Sequence, residues 1–493
     1  MTEPAAPEAG AGDWTLATQE RAPRTSTGRG MLLLTLTSGL YIASAYAITV
    51  WLAHHLGPGD FGRYGVATAI ITLVSIAVAR GVPVAATRAI AAEPRAAEEA
   101  MDAAARAMAT LVLAVGALTA AAAIPVAAAL GDDRLRVPLL IGAAAALTYG
   151  LQAFPLAWFT GMHRYARQAV AQASYAISRL GTIIVGGLLW GLTGAIVGFV
   201  VAPAIAALAA IRRARPIPSS HTHPESVITA RLLLRAAVPL VGVAALISAL
   251  LTVDLLAFKR VGTAADVGRY AAAATIAHVP FFLLRSAPLV LMPAVSAARA
   301  EMQQAAFARV GRVQQEVRRG VGDAIVLLAL PTALLVALGD RALALVFGAR
   351  YDVEELVVAP LAVATAAITL YTVLVAVETA LGTLRVALAA GLLGLVLVAA
   401  AAAIGGQGSN PSRAAWAVSG AAALTFVLHA GSVWTRVGWF VPTRALVAVA
   451  LAAAVGALTL ATPSGGVWLA TSAGAACVAY AAVVLRAGLV HLR

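Results

Sequence analysis

The chain has 493 residues, of which 61% are hydrophobic and 12% charged, where a soluble globular chain carries about 25% charged residues. One anchor helix cannot account for that deficit: long runs almost free of charge recur from Met31 to the C-terminus, each able to cross a hydrocarbon core about 30 Å thick. The net charge of +13 would suit nucleic-acid binding, but the arginines lie in short segments between apolar runs, so membrane topology explains them better. Cys477 is the only cysteine. It excludes a disulfide within the chain and a thiolate metal cluster, and in its apolar run it reads as a small core residue.

Residues 1–30 form a Pro/Ala/Glu/Arg tail without periodicity, expected to be disordered and cytoplasmic. Fourteen spans follow, at roughly 31–53, 65–90, 107–130, 138–159, 169–190, 193–211, 236–258, 270–297, 321–338, 357–381, 386–404, 414–434, 445–462 and 467–485. Lipid offers the backbone no hydrogen-bond partner, so these runs must be helices whatever their Val and Ile content. With the N-terminus inside, the inner segments hold 23 Arg and the outer ones nine Arg and Lys. That asymmetry predicts a multi-pass membrane protein with an even number of spans and both termini cytoplasmic. Trp51, Trp158, Trp190, Trp416, Trp434, Trp439 and Trp468 fall near span ends, as interfacial anchors do. Residues 298–320 read as a charged helical connector near anionic lipid.

The chain repeats itself once. Asp60-Phe61-Gly62-Arg63-Tyr64 precedes the second span and Asp266-Val267-Gly268-Arg269-Tyr270 the eighth. Arg80-Gly81-Val82-Pro83 and Arg285-Ser286-Ala287-Pro288 follow at almost the same distance. Ala129-Leu130-Gly131-Asp132 ends the third span and Ala337-Leu338-Gly339-Asp340 the ninth; Gly161 to Arg164 and Gly382 to Arg385 follow the fourth and tenth. Copies six spans apart keep the same orientation, which predicts two six-helix lobes related by a pseudo-two-fold axis along the membrane normal. The lobes are expected at 31–211 and 236–434, joined by a cytoplasmic linker at 212–235, with two extra helices within 445–493.

Leu56-Gly57-Pro58-Gly59-Asp60-Phe61-Gly62-Arg63-Tyr64 resembles the signature between the first two helices of polysaccharide and oligosaccharide flippases. These belong to the superfamily that also holds the lipid II flippase and the multidrug-and-toxin extruders. The motif residues are Gly57, Pro58, Asp60, Gly62 and Tyr64; Asp266 to Tyr270, the Pro293 region and Gly339 to Gly348 look like the second-lobe pattern. The resemblance covers about residues 30–435. It implies a V-shaped two-lobe fold with a central cavity, and passage of an undecaprenyl-pyrophosphate-linked glycan from the cytoplasmic to the outer leaflet. The implied partners are that lipid-linked glycan, membrane lipid and glycosyltransferase or polymerase machinery, without cofactor, metal or nucleic acid.

Arg80 and Arg285 lie deep in the second and eighth spans at matching places. A central arginine costs about 2.5–3.5 kcal/mol to insert, and such residues usually face a polar cavity. Their guanidinium forks suit a pyrophosphate, although a structural inter-helix pair is the other reading. Arg179, nearer the cytoplasmic end of the fifth span, reads as a cavity residue or as a snorkelling one. Glu378 and Asp254, near span ends, suit a coupling cation or proton, or else an ion pair with a nearby arginine or an interfacial carboxylate. His278 and His429 read as satisfied helix-facing residues. Gly57-Pro58-Gly59 marks a tight outer turn, and Pro83, Pro288 and Pro293 mark kinks.

Three functions compete. A flippase without enzymatic chemistry leads. A cation-coupled drug antiporter of the same superfamily would carry more carboxylates mid-span, whereas the deep charges here are basic. A membrane glycosyltransferase or polymer ligase would display catalytic groups in a sizeable outer loop; only Asp352, Glu354 and Glu355 cluster there. No G-x-x-x-x-G-K-[ST] phosphate loop occurs.

Overall fold

The computed structural model describes residues 27–93, 96–212, 228–285, 287–304, 310–352, 355–460 and 466–486. Residues 1–26 of the tail, most of the linker and Glu354 lie outside them. Apart from two 3-10 turns, every regular element among the described residues is an α-helix. The first half holds α1 (Thr27–Arg80), α2 (Val82–Ala92), α3 (Ala97–Ala129), α4 (Arg136–Gly142), α5 (Ala145–Gly161) and α6 (Tyr165–Ile211). The second half holds α7 (Ala230–Leu250), α8 (Val253–Lys259), α9 (Ala264–Ala277), α10 (Val279–Leu284) and α11 (Ala287–Gln304). It continues through α12 (Val310–Phe347), α13 (Val358–Ala380), α14 (Leu384–Gly405) and α15 (Pro411–Val437). Two helices are appended, α16 (Thr443–Leu460) and α17 (Gly466–Arg486).

Two of these helices are too long to cross a membrane once. At 1.5 Å per residue, Tyr41 and Arg80 would stand about 58 Å apart on a straight α1. They lie within electrostatic reach of one another, because the chain reverses at Gly57, where φ is +71°. The expected loop of several residues is thus one left-handed residue; Pro58 follows without disruption because a helix start needs no N–H there. In α6 the reversal falls at Trp190 and Gly191. Thr182 and Ser178 then donate across the hairpin to the carbonyls of Gly198 and Ala202 at 2.8 and 3.1 Å. Eleven apolar stretches are long enough to span. Counting both hairpins and α17, the described chain crosses fourteen times, and its two described ends share one side.

Between helices in lipid the hydrophobic effect offers little, so cohesion comes from close packing of small and shape-matched side chains. That packing is shared at one end and divided at the other. At the end bearing Asp60 and Asp266, here the motif end, a single core joins both halves through Ile48, Leu52, Phe61, Phe258, Tyr270 and Phe347. Toward the opposite end it splits. Val78, Val82, Ala104 and Met108 form one cluster, and Leu291, Val317, Val321 and Val377 another. Helix α1 packs on α9 but has no comparable contact with α10 or α11. The result is a V closed at the motif end. The start of α7 crosses between the arms, with Leu233 and Ala237 seated in the first-half cluster. Helix α16 packs on α12, and α17 touches the bundle along one face, with Tyr480 donating to the Val326 carbonyl at 2.8 Å. Cys477, expected in a core, is exposed.

Candidate functional site

The motif end is sealed by the two copies of the repeated motif meeting each other. In each copy the aspartate pairs with the arginine three residues on, Asp60 with Arg63 at 2.7 Å and Asp266 with Arg269 at 2.9 Å. The glycine between them faces the other copy. A Cβ on Gly62 would sit 2.6 Å from the Ala264 carbonyl oxygen and 2.7 Å from the Gly268 nitrogen, and one on Gly268 would strike the Pro58 carbonyl. Only glycine permits that approach. Beside it Phe61 packs against Phe347 and Tyr351 at 6.2 and 5.7 Å between centroids, and the Tyr351 hydroxyl donates to the Ala53 carbonyl at 2.7 Å.

An ion network bolts the seal. Asp132 Oδ2 accepts from Arg63 Nε in its own half and from Lys259 Nζ in the other, both at 2.9 Å. Lys259 is the only lysine in the chain, and its side chain is 5% exposed. Burial pushes the Asp132 carboxyl up, but the Lys259 ammonium and the Arg63 guanidinium outweigh it and hold the group below the usual carboxylate range. The repeat has diverged here. Asp340, the counterpart of Asp132, accepts instead from the Val357 and Val358 N–H groups at 2.9 Å, satisfying the start of α13.

Below the seal stand three arginines, Arg80 and Arg285 in the divided part of the V and Arg179 within the first half, beside the shared core. Arg80 is the last residue of α1, and α2 begins after a break at Gly81 with Pro83 in its first turn. Arg285 caps the C-terminal end of α10, and α11 begins with Pro288 in its first turn. Proline cannot donate to the preceding turn and crowds its carbonyls, so the repeated Arg-x-x-Pro breaks both helices directly behind the cation. Both side chains are exposed and close enough to repel one another. The partial negative charge of the helix ends eases that repulsion.

Arg179 is about midway between Tyr165 and the Trp190 turn, too far from either end for snorkelling. Its guanidinium lies over the Tyr41 and Phe199 rings at 5.4 and 5.5 Å. Tyr64, Tyr149 and Tyr175 complete its surroundings, with the Tyr149 and Tyr175 hydroxyls 2.9 Å apart. Nε and Nη1 of Arg179 are buried without a hydrogen-bond partner. Tyr41 lies within electrostatic reach of both Arg80 and Arg179 and links the three arginines. Among the described residues none of the three pairs with a carboxylate. The arrangement can hold an anion at a depth where water is scarce.

A family model of polysaccharide biosynthesis proteins matches residues 28–298, more than half of the chain. The protein belongs to that family. Comparison with curated proteins gave no significant match. Among solved structures, the lipid II flippase MurJ in an inward closed conformation superposes on this family member with a TM-score of 0.70 at 12% identity, over 93% of this chain and 99% of its own. An inward-facing multidrug resistance MATE family transporter of the MOP superfamily gives 0.67 at 14% identity, over 83% and 98%. An outward-facing one gives 0.57 at 15% identity, over 84% and 96%. At such identities the likeness is one of fold.

The two acidic candidates of this polysaccharide biosynthesis protein stand apart from the arginines, in the second half. Glu378, fully buried on α13, pairs through Oε1 with Arg436 on α15 at 3.3 Å, the arginine ion pair that is one of its expected readings. His429 Nε2 lies 3.7 Å from Glu378 Oε2, and neither ring nitrogen has a hydrogen-bond partner, so His429 is not the satisfied residue expected. His278 closes α9 at the break before α10. Asp254 is buried and accepts from the Tyr270 hydroxyl at 2.8 Å. Sequence reasoning missed Tyr41, Tyr149 and Tyr175 and named Tyr64 only as a motif residue, since no spacing joins the four to Arg179. It counted Lys259 and Asp132 separately; a lone lysine beside a repeated Gly-Asp was the available signal.

Proposed function

We propose that this protein moves an undecaprenyl-pyrophosphate-linked oligosaccharide or polysaccharide precursor from the cytoplasmic to the outer leaflet of the bacterial plasma membrane, by alternating access and without enzymatic chemistry. In this reading the motif end is the outer end, both termini are cytoplasmic, and residues 31–211 and 236–434 are the moving lobes, joined by 212–235. The extra pair within 445–493 supports the second lobe from outside. Glycosyltransferases and a polymerase would supply and consume the substrate.

One observation carries the reading: two exposed arginines at equivalent helix breaks in the two repeats lie within electrostatic reach of each other beneath the closed motif end. A pyrophosphate crossing the apolar midplane loses its hydration, and bare burial of its charge is prohibitive. Two guanidinium forks at matching depth offset that loss with a permanent charge and planar donors. Arg179 extends the cationic lining. Glu378 and Asp254 are candidates for a coupling proton or cation in the second lobe. The antiporter reading is weaker, since the cavity presents cations and the carboxylates lie elsewhere.

The test is flipping of a fluorescent lipid-pyrophosphate saccharide by protein reconstituted in liposomes. Arg80→Ala or Arg285→Ala should abolish flipping while membrane abundance persists, and Lys at either site should rescue only part. Full transport by a well-expressed Arg80→Ala/Arg285→Ala double variant would sink the reading.

A further inference from the structure

Arg179 does not fit the role of Arg80 and Arg285, because it lies at another depth. The reversals at Gly57 and Gly191 are level: Leu56 reaches Gly191, and Trp51 and Leu52 lie against Gly187. Counted from those turns, Arg80 is eleven residues deeper than Arg179, an axial separation of roughly 16 Å at 1.5 Å per residue. A pyrophosphate is far too short to touch both levels at once. Nor is Arg179 a satisfied structural cation. Contact with two aromatic faces offsets only part of what desolvating an ion costs. Among the described residues no acceptor reaches Nε or Nη1, and no carboxylate pairs with the guanidinium.

We propose that Arg179 and its tyrosines form a second anion site, for a carboxylate or other acidic substituent on a sugar beyond the pyrophosphate, so that the cargo is an acidic glycan. The inference rests on the flippase reading. Its stereochemistry follows from the residues present. The guanidinium offers its free donors to an acidic group. Tyr41 and Tyr149, both half-buried beside the guanidinium, add ring edges for apolar contact, and their hydroxyls add hydrogen-bonding groups for a sugar. Tyr41, stacked on Tyr175 at 5.9 Å, stands between this level and the Arg80 level, where the chain of sugars would pass.

The experiment measures binding to the full chain in detergent with two synthetic probes, each a farnesyl-pyrophosphate trisaccharide. One ends in glucuronic acid and the other in glucose, so they differ by one carboxylate. The acidic probe should bind wild type about tenfold more tightly, a difference of about 1.4 kcal/mol. Arg179→Gln should erase that preference, weakening the acidic probe about tenfold more than the neutral one. The Arg80→Ala/Arg285→Ala variant should weaken both alike. Equal affinity of the two probes for wild type overturns the second site, and that comparison stands even if Arg179→Gln does not fold. Equal weakening of both probes by Arg179→Gln overturns it too, by making Arg179 a general or structural cation. Failure of both probes to bind, or indifference of both to the Arg80/Arg285 variant, overturns the flippase reading along with it.

Discussion

Replacing Lys259 with methionine removes the one side-chain charge that ties Asp132 to the opposite half. Both groups are nearly dry in the closed form, with side chains 5% and 8% exposed and 2.9 Å between Nζ and Oδ2. Asp132 keeps Arg63, also at 2.9 Å, so the full cost of about 3–5 kcal/mol for stranding a buried charge does not apply. What is lost is one hydrogen bond between charged groups, about 1.5–3 kcal/mol. In an open form Lys259 would face water and contribute nothing to the closure, so the whole loss falls on the closed state. At 1.4 kcal/mol per tenfold, the closed-to-open ratio at the motif end should fall by about one to two powers of ten. Spin labels at Arg134→Cys and Gln407→Cys, both exposed positions in opposite halves, report that gap once Cys477 is replaced by serine. Wild type should give a dominant short distance, Lys259→Met a large longer population, and Lys259→Arg something near wild type. A folded Lys259→Met protein with the wild-type distribution would refute the idea that this pair holds the seal.

The same network sets an acid limit. Because the Asp132 carboxyl is held low in the folded protein, its contribution is complete above the ordinary Asp value of about 3.9 and lost as pH falls through the lower folded one. Thermal midpoints measured down the acid range should show that loss, and Asp132→Asn should remove the component. In the second half, Arg436→Ala leaves Glu378 buried beside His429 without its cation and should cost about 3 kcal/mol of stability. Adding Glu378→Gln should restore most of it, and a denaturation series in mild detergent that shows no recovery would contradict the pairing.

Helix number and the doubling of the fold were legible because membrane insertion leaves a coarse, long-range signal in the sequence: apolar run length, arginine asymmetry and repeated motifs. The pairing of Arg80 with Arg285 followed from the same repeat. What was illegible depends on side chains that no periodicity connects. Tyr41, Tyr64, Tyr149 and Tyr175 come from α1, α5 and α6, and only the packing of those helices gathers them around Arg179. Run length alone carries the seventh span through Asp254 to residue 258. The helix instead breaks before Val253, and α8 tucks Asp254 under Tyr270. Cys477 failed for a related reason: in lipid, an apolar helix need not bury every face.

The seal itself rests on a substitution that helix propensity alone would recommend. Gly268 is an interior residue of α9, where alanine is favoured over glycine by about 0.8–1 kcal/mol. If the two motif copies did not have to touch, Gly268→Ala should stabilise the protein. In the closed form, however, its Cβ would strike the Pro58 carbonyl, a backbone atom that cannot turn aside as a side-chain tip can. The equivalent residue Gly62 faces the Ala264 carbonyl in the same way. Alanine at either position therefore penalises only the state in which the copies meet, while helix propensity favours it in every state. The expected outcome is a protein of normal abundance whose label distances at the motif end shift to longer values. Gly431→Ala on α15, where nothing lies within 4 Å, should leave them unchanged. A Gly268→Ala protein that keeps the short distance would mean that the motifs can part slightly without opening the lobes, and the glycines would then be spacers rather than the contact on which closure depends.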